Sequence, residues 1–273
     1  MEGMERMKVV ILAGGMGTRI SEESRIKPKP MVEIGNRPII WHIMKWYASF
    51  GFQEFIVCCG YKGHIIKNYF VNYSDYQEDV TFELKREKNS IDVCCKEPWK
   101  VTLVNTGLKT LTSGRLLKVR DYIGDEAFML TYGDGVSDVD IKRLIECHKQ
   151  SRKLVTITMT QPEGRFGAIQ VDEEGSVRGF KEKARRDQSF VNTGFMVMEP
   201  GVFDYLGDGD EMLEAAPFEK LAEDNQMNAY KHEGFWSPMD TMHDKAYLDG
   251  LWRKGTAPWR VKEIKERKIC LNK

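Results

Sequence analysis

Val9-Val-Ile-Leu-Ala-Gly-Gly-Met-Gly-Thr-Arg-Ile-Ser-Glu-Glu-Ser-Arg-Ile-Lys-Pro-Lys-Pro30 is the stretch on which the reading of this chain turns. Val9 to Leu12 are all apolar, the mark of a strand buried on both faces. Gly14, Gly15 and Gly17 follow, and glycines let a backbone bend sharply and approach a ligand closely with its N–H groups exposed. Thr18 and Arg19 add a hydroxyl and a rigid cationic fork suited to phosphate oxygens. Lys27 and Lys29 come next, braced by Pro28 and Pro30. A buried strand opening into glycines, then Arg, then proline-held Lys reads as a loop that wraps a triphosphate.

Two familiar phosphate loops do not fit. A P-loop requires a Lys directly after its last glycine, and none stands in that register. A dinucleotide fingerprint requires a third glycine where Ile20 sits, and Pro28, Pro30 and Pro38 deny the immediate long crossover helix. The order Leu-Ala-Gly-Gly-x-Gly-Thr-Arg followed by Lys29-Pro30 instead resembles the signature of the sugar-phosphate nucleotidyltransferases.

Downstream the rhythm is strand, loop, helix, strand, helix. Ile39, Ile40, Ile43, Tyr47 and Phe50 recur at helical steps after Pro38, and Phe55–Cys59 is a second apolar strand. Gly63–Tyr73 carries a further helical pattern. Val80–Leu84, Ile91–Cys94 and Val101–Val104 read as short strands. Thr106-Gly107 and Thr112–Arg115 enclose a short linker, Leu116–Ile123 reads as a helix and Ala127–Tyr132 as a strand ending in Gly133-Asp134-Gly135. Val139–Gln150 is amphipathic, with Asp138 as its expected N-cap, and Leu154–Thr160 is a strand. Phe166–Val171, Ser176–Phe180 and Phe190–Met198 suggest antiparallel strands, and Pro217–Asn225 and Thr241–Lys254 helices. The expected fold is α/β: a doubly wound, mostly parallel Rossmann-like sheet with a smaller antiparallel portion. One domain over residues 1–273 is expected, its nucleotide-binding core at about 7–160 and its sugar-binding and C-terminal portion at about 161–273.

Composition narrows the function. The 273 residues are 41% hydrophobic and 30% charged, with 41 Lys plus Arg against 41 Asp plus Glu. Zero net charge gives no reason to expect a nucleic-acid partner, so any phosphate site must be a local cluster. No apolar run is long enough for a membrane span, and the charged Met1–Lys8 reads as a short extension before the first strand, not a signal peptide. The cysteines, Cys58, Cys59, Cys94, Cys95, Cys147 and Cys270, include no C-x-x-C, which argues for free thiols in a reducing cytoplasm and against a zinc site.

Asp134, flanked by glycines at the end of a buried strand, stands where open α/β sheets bind ligands. Mg²⁺ takes one or two carboxylates plus phosphate and water oxygens, and Asp240, just before a helix, is the candidate second ligand or else that helix's N-cap.

The resemblance implies more. In that family an early G-D aspartate and a late one hold the metal, places matched by Asp134 and Asp240. It implies nucleotide contacts from Leu12, Ala13, Gly14, Gly15, Met16, Gly17 and Thr18, with Thr112, Arg115 and Gly133, and catalytic roles for Arg19 on the β,γ-phosphates and Lys29 on the α-phosphate. Phe180-Lys-Glu182-Lys183 is similar to the family's F-x-E-K segment, implying sugar hydroxyls on Glu182 and sugar phosphate on Lys183, although the usual next proline is Ala184. Asn192-Thr-Gly194 resembles the stretch lining the sugar pocket, and is otherwise a strand with a bulge. Thymidylyl- and uridylyl-transferring members carry Q-x-x-P-x-G-L-A where this chain has Thr106-Gly107 and Thr112-Ser-Gly-Arg115, so it is most similar to the cytidylyl branch. That branch implies CTP and glucose 1-phosphate as substrates, CDP-linked 3,6-dideoxy sugars as the destination, and a homo-oligomer, a hexamer. Thymidylyl or uridylyl transfer, and a nucleotide-sugar-binding regulator without turnover, are the competing readings.

Overall fold

A strand apolar at every position must be covered on both sides, and β1 (Val9–Ala13) is buried at all five residues. The structure is a computed structural model, which describes residues 7–17, 20–73, 97–161, 168–171, 177–181 and 190–261. The other strands, in chain order, are β2 (Glu33–Ile34), β3 (Arg37–Pro38), β4 (Glu54–Cys59), β5 (Lys100–Asn105), β6 (Phe128–Tyr132) and β7 (Gly135–Ser137). They continue with β8 (Val155–Thr160), β9 (Ala168–Val171), β10 (Val177–Lys181), β11 (Val191–Met198), β12 (Met227–Lys231) and β13 (Trp236–Pro238). The helices are α1 (Ser21–Ser24), α2 (Ile39–Ser49), α3 (Gly63–Val71), α4 (Thr112–Leu117), α5 (Arg120–Ile123), α6 (Ile141–Ser151), α7 (Ala216–Glu223) and α8 (Met242–Arg253).

Among the described residues, seven strands form one sheet in the order β12-β8-β11-β6-β1-β4-β5. All neighbours are parallel except β11, which runs antiparallel to both β6 and β8. The expected α/β, mostly parallel sheet is therefore present. From β1 the chain proceeds to β4 and β5 on one side and later to β6 on the other. Strand order thus reverses at β1, and such a reversal opens a crevice at the carboxyl ends of the strands. Alternate residues of β1 divide between two cores. Val9, Ile11 and Ala13 join Ile43, Tyr47 and Phe55 on one face, and Val10 and Leu12 join Ile56, Leu116 and Leu130 on the other.

Several local expectations change. The helix expected over Leu116–Ile123 is split into α5 and α4, which already opens at Thr112. Its Thr-Ser-Gly composition looks loop-like, but a Cβ on Gly114 would lie 2.6 Å from the Gly209 carbonyl, so close packing selects the glycine. Asp140, not Asp138, caps α6, accepting from the Arg143 N–H at 3.0 Å. Of the three antiparallel strands expected after residue 160, β11 lies within the main sheet, and β9 and β10 pair with each other. β12 went unread because it is an edge strand without a buried face. Val80–Leu84 and Ile91–Cys94 lie outside the described residues. Among the described residues, no helix is long and apolar enough to cross a membrane.

Candidate active site

The carboxyl ends of β1, β4 and β6 deliver three loops to one place. Leu12 and Ala13 end β1 in the core, and Gly14, Gly15, Met16 and Gly17 lead out of it, with Met16 exposed. The Gly14 carbonyl accepts from the Tyr61 N–H at 3.1 Å, tying this loop to the one after β4. It also accepts from Arg115 Nη2 at 3.0 Å. Arg115 Nη1 donates to Thr106 Oγ1 at 2.6 Å and to the Gly107 carbonyl at 2.9 Å. One buried guanidinium thus staples the glycine loop to the loop after β5. A Cβ on Gly14 would stand 2.0 Å from that guanidinium, so the approach requires glycine. Arg115 makes these contacts within the chain, whereas sequence reasoning directed it at the nucleotide. Thr18 and Arg19 lie outside the described residues.

Lys29 begins a single 3-10 turn, Lys29–Met31, with Pro28 just before the turn and Pro30 within it. It is 5% exposed. Its ammonium donates to Asp134 Oδ2 at 2.7 Å and to Asp240 Oδ1 at 2.6 Å. Residues 29, 134 and 240 therefore meet at one point. Asp134 arrives there because Gly133 packs against the end of β1, where a Cβ would stand 3.1 Å from the Leu12 carbonyl. Asp240 arrives through a two-stranded ribbon, β7 with β13, which pairs Gly135 with Pro238 and Ser137 with Trp236. The Met239 N–H then donates to the Asp134 carbonyl at 2.8 Å. Thr241, not Asp240, caps α8: its hydroxyl accepts from the Asp244 N–H while the Asp244 carboxylate accepts from the Thr241 N–H. That leaves the Asp240 side chain to face Lys29.

Two carboxylates converging on one positive charge form a hard, all-oxygen donor set, which suits a Mg²⁺-like ion whose remaining positions are filled by phosphate and water. Among the described residues no cluster of three His, Cys, Asp or Glu competes as a metal site.

A third group lines the same edge. Gly194 has φ +85°, and a Cβ there would lie 2.3 Å from the Tyr132 ring. Asn192 Oδ1 accepts from the Gly194 N–H at 2.9 Å, fixing the expected bulge in β11. The Tyr132 hydroxyl donates to Glu214 Oε1, and the other oxygen of Glu214 accepts from the Thr112 hydroxyl at 3.1 Å. Burial and then the Glu214 charge raise the Tyr132 phenol above its ordinary range, so it remains a donor. Tyr132 and Glu214 were not singled out from sequence. Tyr132 was hidden inside an apolar strand, and Glu214 lies in an acidic loop without periodicity. Glu182 and Lys183 lie outside the described residues.

Over most of its length the chain is similar to known proteins. A family model described as nucleotidyl transferase matches residues 8–250. A glucose-1-phosphate cytidylyltransferase of Salmonella typhi is 51% identical over 94% of this chain and all of its own length. A probable glucose-1-phosphate cytidylyltransferase of Bacillus subtilis is 42% identical over 93% of this chain and all of its own. Among solved structures, HddC from Yersinia pseudotuberculosis, complexed with GMP-PN, superposes with a TM-score of 0.67 at 21% identity, covering 90% of this chain and 99% of that one. A match over most of the chain, with whole-length relatives at this identity, means that the chain belongs to the nucleotidyl transferase family.

Proposed function

We propose that this chain transfers a cytidylyl group from CTP to α-D-glucose 1-phosphate, releasing CDP-glucose and pyrophosphate. The observation that carries the reaction type is the meeting of Lys29, Asp134 and Asp240 beside the glycine loop at the sheet's carboxyl edge. The choice of base and sugar rests on the two cytidylyltransferase relatives. In the step, a phosphate oxygen of the sugar phosphate attacks the α-phosphorus, a new P–O bond forms, and the bond to the β-phosphate oxygen breaks with its electron pair. A phosphate monoester is largely dianionic at neutral pH, so no protein base is needed to generate the nucleophile.

The residues then position and neutralise charge. The Gly14–Thr18 amides and Arg19 bind the β,γ-phosphates, and Lys29 steadies the α-phosphate. Thr112 and Arg115, with Leu12–Gly14 and Gly133, surround the nucleotide. Glu182, Asn192 and Gly194 take the sugar hydroxyls, and Lys183 aims the sugar phosphate. Asp134 and Asp240 would hold Mg²⁺. Bound there, the ion would draw negative charge away from the triphosphate as the leaving group departs. The same reading puts the nucleotide on residues 7–160 and the sugar on 161–273, in a cytoplasmic hexamer serving dideoxy-sugar synthesis.

The test is a coupled pyrophosphate-release assay with glucose 1-phosphate and each of CTP, UTP, dTTP and GTP. A clear kcat/KM preference for CTP is expected, because the N4 amine of cytosine is a donor where uracil and thymine offer an acceptor. Equal use of UTP would defeat the cytidylyl assignment, and no release with any nucleotide would favour a binding protein without turnover.

A further inference from the structure

The β7–β13 ribbon that brings Asp240 to Asp134 has little of its own to hold it. Each strand has only three residues, and the two form a sheet by themselves. Pro238 contributes no N–H to the ladder. Isolated two-stranded pairs are marginal in water, and a slip of one residue would move Asp240 by about 3.4 Å along the strand. Register must therefore come from elsewhere.

Besides the Met239 N–H bond to the Asp134 carbonyl, Asp138 and His232 bond across the ribbon at the end away from the aspartate pair. Asp138 Oδ1 accepts from the Phe235 N–H at 2.7 Å, and the Asp138 N–H donates to the Phe235 carbonyl at 3.1 Å. His232 Nε2 lies 3.1 Å from Asp138 Oδ1 and 3.0 Å from the Phe235 carbonyl. Both are acceptors, so this nitrogen carries a proton. Ser137 Oγ donates to the Phe235 carbonyl at 2.8 Å and accepts from the Val139 N–H at 3.2 Å. His232 is itself anchored to the main sheet, since its carbonyl accepts from the Thr160 hydroxyl at 2.9 Å. Gly234 completes the knot: a Cβ there would sit 2.4 Å from Asp138 Oδ1.

Ser, His and Asp are the residue types of a hydrolytic triad, but the arrangement is not one. Ser137 and Asp138 meet the same imidazole nitrogen, Ser137 is 1% exposed, and its proton is committed to a backbone carbonyl. Burial opposes a charged imidazole, yet the Asp138 hydrogen bond, the Phe235 carbonyl and the Asp138 charge outweigh it and hold His232 above its ordinary pKa.

We propose that Asp138 and His232 are positioning residues for the Asp134–Asp240 cation site: they fix the register of β7 on β13 so that both carboxylates address one cation. The proposal rests on the reading of Asp134 and Asp240 as cation ligands. The side-chain bonds of Asp138 and His232 go to Phe235, to Ser137 and to each other, so their effect passes through the ribbon.

The experiment is direct titration of the full chain with Mn²⁺, by electron paramagnetic resonance, alongside thermal unfolding. Asp138→Ala should weaken Mn²⁺ binding about tenfold or more, the usual loss when an orienting outer partner is removed. Asp138→Asn should recover most of it, because its carbonyl oxygen still accepts from the Phe235 N–H. His232→Asn provides the same test from the other partner if Asp138→Ala does not fold. Unchanged Mn²⁺ affinity in folded Asp138→Ala or His232→Asn protein, even with a lowered melting temperature, would reduce the knot to a structural role and overturn the proposal. Asp240→Asn separates the two readings. If it abolishes Mn²⁺ binding while Asp138→Ala does not affect it, only the positioning role falls; if it leaves binding intact, the cation site falls too.

Discussion

Replacing Lys29 by methionine keeps the stem of the side chain and deletes the charge that Asp134 and Asp240 share. The Lys29 and Asp240 side chains are 7% and 11% exposed, and that of Asp134 is 31% exposed. Removing one partner of a buried ion pair costs about 3–5 kcal/mol, and the partial exposure of Asp134 argues for the lower end, about 3 kcal/mol. For a chain of this size that is a fall in melting temperature of roughly 6 °C. The two carboxylates then lose the cation they share, so a divalent ion should bind Lys29→Met more tightly than the parent chain. At a hundred times its dissociation constant a ligand stabilises by about 2.7 kcal/mol, nearly the whole deficit. Thermal unfolding with and without Mg²⁺, on both chains and without nucleotide, reads this directly. The variant should melt lower in chelator and recover in Mg²⁺, while its turnover stays depressed. A variant as stable as the parent in chelator, or one that gains no more from Mg²⁺ than the parent, would refute the shared-cation argument.

Arg115→Lys should raise the KM for CTP about tenfold and leave that for glucose 1-phosphate unchanged, because one ammonium cannot hold Thr106, Gly107 and Gly14 together as the planar fork does. Steady-state kinetics with each substrate varied in turn checks it, and unchanged CTP kinetics would contradict it. Gly194→Ala should cost about 2–4 kcal/mol, from the positive φ and the overlap with Tyr132, read as a lower urea midpoint. A midpoint equal to that of the parent chain would count against this packing. His42 is held down to about 4, chiefly by burial, so between that pH and 6.5 the unfolded chain binds the proton and the folded one does not. Stability should therefore fall as pH drops through this window, by about 3 kcal/mol in total. Urea unfolding across it should show a shallower fall in His42→Gln, and parallel curves would remove His42 as the cause.

Much of this protein was legible in local pattern. The apolar run Val9–Leu12, the glycines after it and the helical steps from Ile39 are properties of neighbouring residues. Strand burial, loop flexibility and helix periodicity act over the same short range. That range was enough for the parallel core, the glycine-rich loop and Asp134 at a strand's end. It did not settle Asp240, because Asp240 and Thr241 are both good N-caps. The choice came from Asp244, whose carboxylate closes a capping box on Thr241 and leaves Asp240 to turn toward Lys29, 211 positions away in the chain. Asp138 was misread for the same reason. As a lone residue before an amphipathic segment it looks like a cap, and only the approach of Phe235, 97 positions later, gives its carboxylate another partner. Arg115, Tyr132 and Glu214 likewise acquire their contacts from loops that meet only when β1, β4, β5 and β6 are set side by side. Spacing along a chain encodes which residues share a face; which faces then meet depends on how distant segments pack, and the charged and polar partners of this site are decided at that step.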